Sequence, residues 1–283
     1  MEEKSEKKNL DRQMDFLNPL ESPSLIYQDE RRNEGIDSNL ELRKERNSNR
    51  EEKTLPEFLL ILDTETTGLD PKKDFCMELG SILFHVKSRE VLAQQSFLIP
   101  VQNNNAEGIN RIPAAITRLN QEWKKGLDYF QCLLEKADAV VAHNVDFDRK
   151  WFGSSPLPPI SKPWICTMED IAWPPERQLS SRPSVRDLAL AYGVPVWNAH
   201  RALTDCIYLA EVLRRCNDLE DLLLKGLEPR RLMKAEVSYE QRHLAKKAGF
   251  RWNNPVQGAW TRRLSQREVL ELSFSVVSVH LEE

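Results

Sequence analysis

Apolar and polar residues alternate along this chain in several distinct ways. The sharpest is the unbroken run Phe58-Leu59-Leu60-Ile61-Leu62, which stops abruptly in Asp63-Thr64-Glu65-Thr66-Thr67-Gly68. A run of that length, bounded by turn-favouring residues, predicts a strand buried on both faces. Met77 to Val86 and Val91 to Val101 are further apolar runs around Lys87-Ser88-Arg89-Glu90, the pattern of a hairpin, so the sheet begins with antiparallel neighbours. From Pro113 to Lys136 the spacing changes to three and four residues, with Leu119, Trp123, Leu127, Phe130 and Leu134 on one helical stripe and Gly126 as a candidate break. Asp138 to His143 reads as a short strand, and Asn144 stands where it would cap a helix over residues 145–152 that Gly153 and the following prolines end. Ser184 is placed to cap a helix over residues 185–192, closed by Gly193 and Pro195. Another helix starts near His200 and runs to about Cys216, with Ala202, Cys206, Leu209 and Leu213 as its buried stripe.

Beyond Cys216 a short amphipathic piece reaches Leu227, and Pro229 marks a boundary. Ser238 with Gln241 has the spacing of a capping box for a helix through Ala248, ended by Gly249. Phe250-Arg251-Trp252 and Ala259-Trp260-Thr261-Arg262 read as two strands; Ser265 with Glu268 opens a short helix before a last strand near residues 274–279. Four segments follow: a charged, disordered tail over 1–55, a main domain over 56–217, a linker helix over 218–228, and a small α+β module over 229–283. Within the tail, a short docking segment over residues 17–27 is the lesser alternative to plain disorder, and nothing in its composition favours it.

Composition changes this picture in two places. The net charge of the 283 residues is only -4, but residues 230–263 are strongly basic, with Arg230, Arg231, Lys234, Arg242, Lys246, Lys247, Arg251, Arg262 and Arg263 against Glu236 and Glu240. Aromatics set among such cations suit stacking on bases and holding phosphates; the same aromatics also suit the core of a very small domain. Five scattered cysteines without a Cys-x-x-Cys pair argue against a zinc ribbon or a disulfide framework, and no run of 18 apolar residues occurs. The expectation is a soluble, cytoplasmic protein with no membrane contact.

The chemistry begins at the end of the first strand. Side chains at i and i+2 of a strand share a face, so Asp63 and Glu65 project together, and two adjacent carboxylates repel unless a cation lies between them. Hard oxygen ligands point to magnesium or manganese. A solvated strand end would use the same residues. Asp146 only complements a helix dipole, whereas Asp148 sits among Phe147, Trp151 and Phe152, where an acid is better explained as a ligand. Asp205 lies at the edge of its helix's apolar stripe; an exposed Arg201–Asp205 pair at i,i+4 is the bland account. His200 and Asp205 are about 140° apart on a helix, so they share a site only if His200 lies in the loop or first turn.

Taken in order, Asp63-Thr64-Glu65, then His143-Asn144-Val145-Asp146-Phe147-Asp148, then His200-Arg201-Ala202-Leu203-Thr204-Asp205 resemble the motifs of the DEDD exonucleases, in the histidine (DEDDh) branch that includes the DNA polymerase III epsilon subunit and ribonuclease T. The resemblance covers roughly residues 57–217. It implies an α/β, ribonuclease H-like mixed sheet flanked by helices. It also implies metal-dependent 3'-to-5' hydrolysis at single-stranded 3' ends of DNA or RNA with two divalent ions, Mg2+ or Mn2+. By the same resemblance Asp63, Glu65, Asp148 and Asp205 are the metal ligands and His200 the general base, and Thr66, Thr67, His143, Asn144 and Phe147 help to hold the substrate. Proofreading, repair and RNA processing are all compatible with these motifs, and a DNA polymerase is a candidate partner. A non-catalytic nucleic-acid-binding adaptor on the same fold is the competing function; its usual sign, a missing acid or histidine, is not found here.

Overall fold

The computed structural model describes residues 54–197 and 200–280. The tail expected to be disordered and the docking segment within it lie almost wholly outside the described residues, as do Asn198 and Ala199 ahead of His200. The chain divides into two compact units at the 228/229 boundary.

In the larger unit, β1 (Phe58–Thr66), β2 (Cys76–His85) and β3 (Glu90–Leu98) form the antiparallel half of a sheet. Two short helices, α1 (Glu107–Asn110) and α2 (Ala114–Thr117), then lead into α3 (Trp123–Lys136). The parallel half follows as β4 (Ala139–Ala142) and β5 (Trp164–Cys166), separated by α4 (Val145–Asp148), and α5 (Val185–Ala191), α6 (Ala202–Arg214) and α7 (Leu219–Gly226) complete the unit. The strand order is β3-β2-β1-β4-β5, which puts β1 in the middle. Leu59 to Leu62 are therefore fully buried.

Alternation along β1 sorts its side chains between two cores. Leu59 and Ile61 pack with Ile82, Phe84, Val141 and the apolar faces of α5 and α6. Leu60 and Leu62 pack on the other face with Leu79, Val140 and the Phe130, Leu133 and Leu134 stripe of α3. The same parity carries Asp63 and Glu65 to the α6 face of the sheet. On β2, Glu78 and Gly80 share the parity of Ile82 and Phe84, and Gly80 leaves room for the start of α6: a Cβ there would stand 2.4 Å from the backbone of Ala202 and Leu203.

Four local expectations are corrected. The helix expected over 113–136 is broken between Thr117 and Trp123, which leaves Leu119 exposed; Gly126 does not divide α3 but lies within it, where a Cβ would meet the Phe97 ring at 2.8 Å. The helix expected over 145–152 is a single α turn followed by a 3-10 turn at Arg149–Trp151. Asn144 occupies its N-cap position in the left-handed region (φ 68°) without a side-chain cap bond. The short strand β5, too brief to show a period, had no counterpart in the hydropathy pattern.

The smaller unit contains β6 (Arg230–Ala235), α8 (Arg242–Lys247), β7 (Arg251–Trp252), β8 (Trp260–Ser265), α9 (Gln266–Leu270) and β9 (Val276–Ser278), with an antiparallel sheet in the order β7-β8-β6-β9. The central strand β6 is a strand that the sequence disguised: only Met233 and Ala235 turn to the core, and the rest reads as a basic run. Ser265 and Glu268 form the capping box expected of them. Phe250 and Trp260 join the core, whereas Trp252 is half exposed beside Trp260, their ring centroids 5.6 Å apart.

Gly80→Ala forces Cβ against backbone that cannot step aside, so it is expected to destabilise the protein by about 1–3 kcal/mol. Urea unfolding curves measure it, and a stability equal to wild type would contradict the close approach of α6 to β2.

Candidate active site

The alternation of β1 and the docking of α6 bring three of the motif acids together. One carboxylate oxygen from each of Asp63, Glu65 and Asp205 lies within 4.8 Å of the others. Asp148 approaches from the other side, accepting hydrogen bonds from the Thr64 amide (3.1 Å) and hydroxyl (2.8 Å). It is almost fully buried, and its charge adds to those that act on Asp63. A hydroxyl and an amide of β1 thus hold the fourth acid beside the strand that carries the first two.

His200 lies two residues ahead of α6, with its amide donating to Asp205 Oδ2 at 3.1 Å, so the helical angle that would separate the two does not apply. Its φ of 64° is in the left-handed region. Burial, and to a lesser degree the charge of Arg111, hold its pKa below the ordinary histidine value, which keeps the ring neutral at pH 7.

The remaining residues expected at the site are placed less uniformly. Thr66 ends β1 and Thr67 follows it, both buried; the Thr66 carbonyl accepts from Asn110 Nδ2 and the Thr67 amide donates to the Phe75 carbonyl. Those two backbone groups are thus used within the fold. His143 is buried, with Nδ1 2.8 Å from the Thr167 hydroxyl, and burial pushes its pKa down to about 4. Phe147 packs edge-on against Trp151, with the Lys150 ammonium 4.7 Å from its ring centroid. Asn144 is the left-handed residue that starts α4.

Sequence reasoning missed Thr64, Asn110 and Glu78. Glu78 faces Glu65 directly across the β1–β2 ladder and is bound by Arg201. Each is an ordinary core or turn residue until the strands are paired, although Glu78, an acid inside an apolar run, was a visible signal.

The electrostatics explain what this cluster requires. Burial first, and then the charges of Asp148, Asp205 and Glu65, push Asp63 well above the usual carboxylate range. Glu65 rises to about 8, chiefly through burial and then Asp205. Asp148 rises to about 7 through burial, against the Thr64 hydrogen bonds, and Asp205 to about 6 through burial, against the amides of His200 and Arg201. Carboxylates so arranged ionise together only when a cation compensates them, and an all-oxygen donor set suits a hard divalent ion. The residues present fit such an ion.

A mixed sheet whose central strand ends in carboxylates opposite a helix-borne acid is the ribonuclease H-like arrangement. Residues 60–213, more than half of the chain, match the family described as Exonuclease, and residues 231–279 match a domain of unknown function, DUF8626. The chain belongs to the exonuclease family, and its ordered motifs place it in the DEDDh branch of 3'-5' exonucleases. It is 27% identical over 180 residues to a PolC-type DNA polymerase III of Thermotoga petrophila, a match that takes in 55% of this chain but 12% of the polymerase. Among solved structures it is similar to exonuclease X in complex with 5' overhanging duplex DNA (26% identity, 58% of this chain and 99% of that one, TM-score 0.43). Another is the nuclease domain of 3'hExo, a DEDDh family member, bound to rAMP (16% identity, 58% and 92%, TM-score 0.46).

Acids whose pKa values are raised in the folded state favour folding below their unfolded values, near 4, and oppose it as pH climbs through the folded ones. In EDTA the melting temperature is expected to fall as pH rises from about 4 to about 8. Saturating Mn2+ should restore it, most strongly at the alkaline end. Melting curves across that range check this, and indifference to metal at pH 8 would count against a cation site.

Proposed function

We propose that the protein hydrolyses the terminal phosphodiester bond at the 3' end of single-stranded DNA or RNA and releases nucleoside monophosphates. The observation that carries this reading is the convergence of the Asp63, Glu65 and Asp205 oxygens within 4.8 Å, with His200 bonded to Asp205 through its amide. In this reading Asp63, Glu65 and Asp205, with Asp148 beside them, hold two Mg2+ or Mn2+ ions. Such ions compensate the carboxylates and polarise the phosphodiester and the attacking water.

The chain's own residues supply the rest. His200, neutral at pH 7, accepts the proton of the water that attacks phosphorus, and the 3' oxygen of the penultimate nucleotide departs and takes a proton from solvent as the shortened strand's 3'-hydroxyl. Thr64 keeps Asp148 from swinging away. The likeness to a polymerase of PolC type supports a DNA polymerase as a candidate partner, in proofreading or repair. Five unpaired cysteines suit a reducing cytoplasm.

The smaller unit is read as a single-strand contact. Residues 230–280 hold ten Lys and Arg against four acids, and no strand of its sheet contains an Asp or Glu. Not every cation is available: Glu268 pairs with Arg230 at 3.2 Å and Arg262 at 3.8 Å, and Arg262 also donates to the Ala248 carbonyl, so these two hold the module together. The exposed Lys246 and Lys247 on α8 are better placed to meet phosphates.

With 5'-labelled single-stranded DNA and RNA of matched sequence, Mn2+ or Mg2+ is expected to give a ladder shortening from the 3' end, abolished by EDTA. Asp63→Ala and Asp148→Asn should slow it at least about 100-fold while folding normally. Normal turnover by folded Asp148→Asn would remove that residue from the ligand set, and binding without cleavage would favour an adaptor. Replacing Lys246 and Lys247 together by Ala should make the salt dependence of single-strand binding shallower by about 1.4 in log–log slope, from about 0.7 per phosphate contact. An unchanged slope would place the contact elsewhere.

A further inference from the structure

Glu78 is a fifth carboxylate beside the four of the motifs, 1% exposed, and the proposed chemistry gives it nothing to do. It stands on β2 directly opposite Glu65 and on the same face of the sheet. Its oxygens accept from Arg201 Nη2 (2.8 Å) and Nε (3.0 Å), from the Ala202 amide (3.1 Å) and from the Ser96 hydroxyl (3.0 Å). Two parallel donors from one guanidinium make the fork geometry that fixes orientation as well as distance. The Ala202 amide is the first of α6, and Arg201, in the N-cap position, offers no side-chain cap of its own. Glu78 therefore caps α6 from a neighbouring strand, 124 residues away in sequence.

A site residue stands beside each half of this clamp, Glu65 opposite Glu78 and His200 next to Arg201. His200 directly precedes Arg201 and is held at φ 64°, a conformation that a residue with a Cβ keeps only where its surroundings over-determine it. On one side its amide is tied to the Asp205 carboxylate, and on the other Arg201 is forked onto Glu78, while the Arg201 carbonyl accepts from the Asp205 amide. Gly80, one pleat further along β2, lets the helix start close enough for all of this.

We propose that Glu78 and Arg201 are positioning residues: their ion pair locks the left-handed turn at His200 and the first turn of α6, and so sets His200 and Asp205 against Asp63 and Glu65. The proposal rests on the reading of His200 as the general base. It assigns Glu78 to orientation and not to metal binding, because each of its oxygens already has donors from Arg201, Ala202 or Ser96.

The test uses Glu78→Gln, Arg201→Lys and the double variant in the full chain, each also combined with His200→Ala, on 5'-labelled single-stranded DNA with Mn2+. A misplaced base and ligand should cost about 100-fold in kcat with KM near its wild-type value. The double variant should be no slower than either single one, because groups that act as one unit are not additive; on His200→Ala each change should cost less than it costs the wild type, the remainder being the share carried by Asp205. NMR of ring-13C-labelled histidine reads the same lock without turnover: the His200 signal should shift or broaden in Glu78→Gln, and that of buried His143 should not. Retained kcat in a folded variant, a loss as large on His200→Ala as on the wild type, or an unmoved His200 signal would each overturn the proposal. Should Glu78→Gln not fold, Arg201→Lys carries the same comparisons at a side chain 42% exposed. Should the wild type cleave nothing, the exonuclease reading fails and the NMR comparison still decides the lock.

Discussion

Like charges set the central constraint of this molecule. Asp63, Glu65, Asp148 and Asp205 converge at one end of a sheet where burial alone raises their pKa values, and each neighbour raises that of Asp63 further. The fold accommodates this because two of the carboxylates are mounted at the end of its most deeply buried strand. The strand that presents two of them is fully buried from Leu59 to Leu62, and each such side chain contributes on the order of 1.5–3 kcal/mol by leaving water. The third acid is fixed through a helix docked over Gly80, and the fourth through Thr64. Compensation by a bound cation is the electrostatic complement that such a platform requires.

The surroundings of the cluster follow from that requirement. A site held this firmly can leave His200 in a left-handed conformation, because Asp205 and the Glu78-bound Arg201 hold the residues around it. It can also use backbone groups near Thr66 and Thr67 for internal bonds, which anchors the turn after β1 through Asn110 and Phe75. The candidate site's side chains sit on strands and helix starts more than on free loops, and that limits how far they can drift from one another.

In the smaller unit the balance between core and surface is different. Its buried cluster is small, formed around Ala235, Ala245, Phe250 and Leu264. Charged side chains take part in the architecture, with Glu268 serving a helix cap and two arginines together. A basic run in such a unit is thus part scaffold and part surface. Counting its cations from sequence overstates what is left for a phosphate backbone, and of the aromatics that suited either stacking or a core, the sheet buries Phe250 and leaves Trp252 half exposed.

What could be read without coordinates was whatever repeats over a few residues. The two-residue period of β1 placed Asp63 and Glu65 on one face, the capping signals at Ser184 and Ser265 marked helix starts, and the motif order marked Asp148, His200 and Asp205. Local period failed where tertiary contacts override it. The 113–136 stripe breaks after α2, the 145–152 helix shrinks to one turn with Asp148 bonded to Thr64, and the basic run at 230–235 becomes a central strand. Only the tertiary structure decided that Glu78 would face Glu65, cap α6 and receive Arg201. That arrangement depends on strand register and on contacts 123 and 124 residues apart, which no short-range pattern encodes.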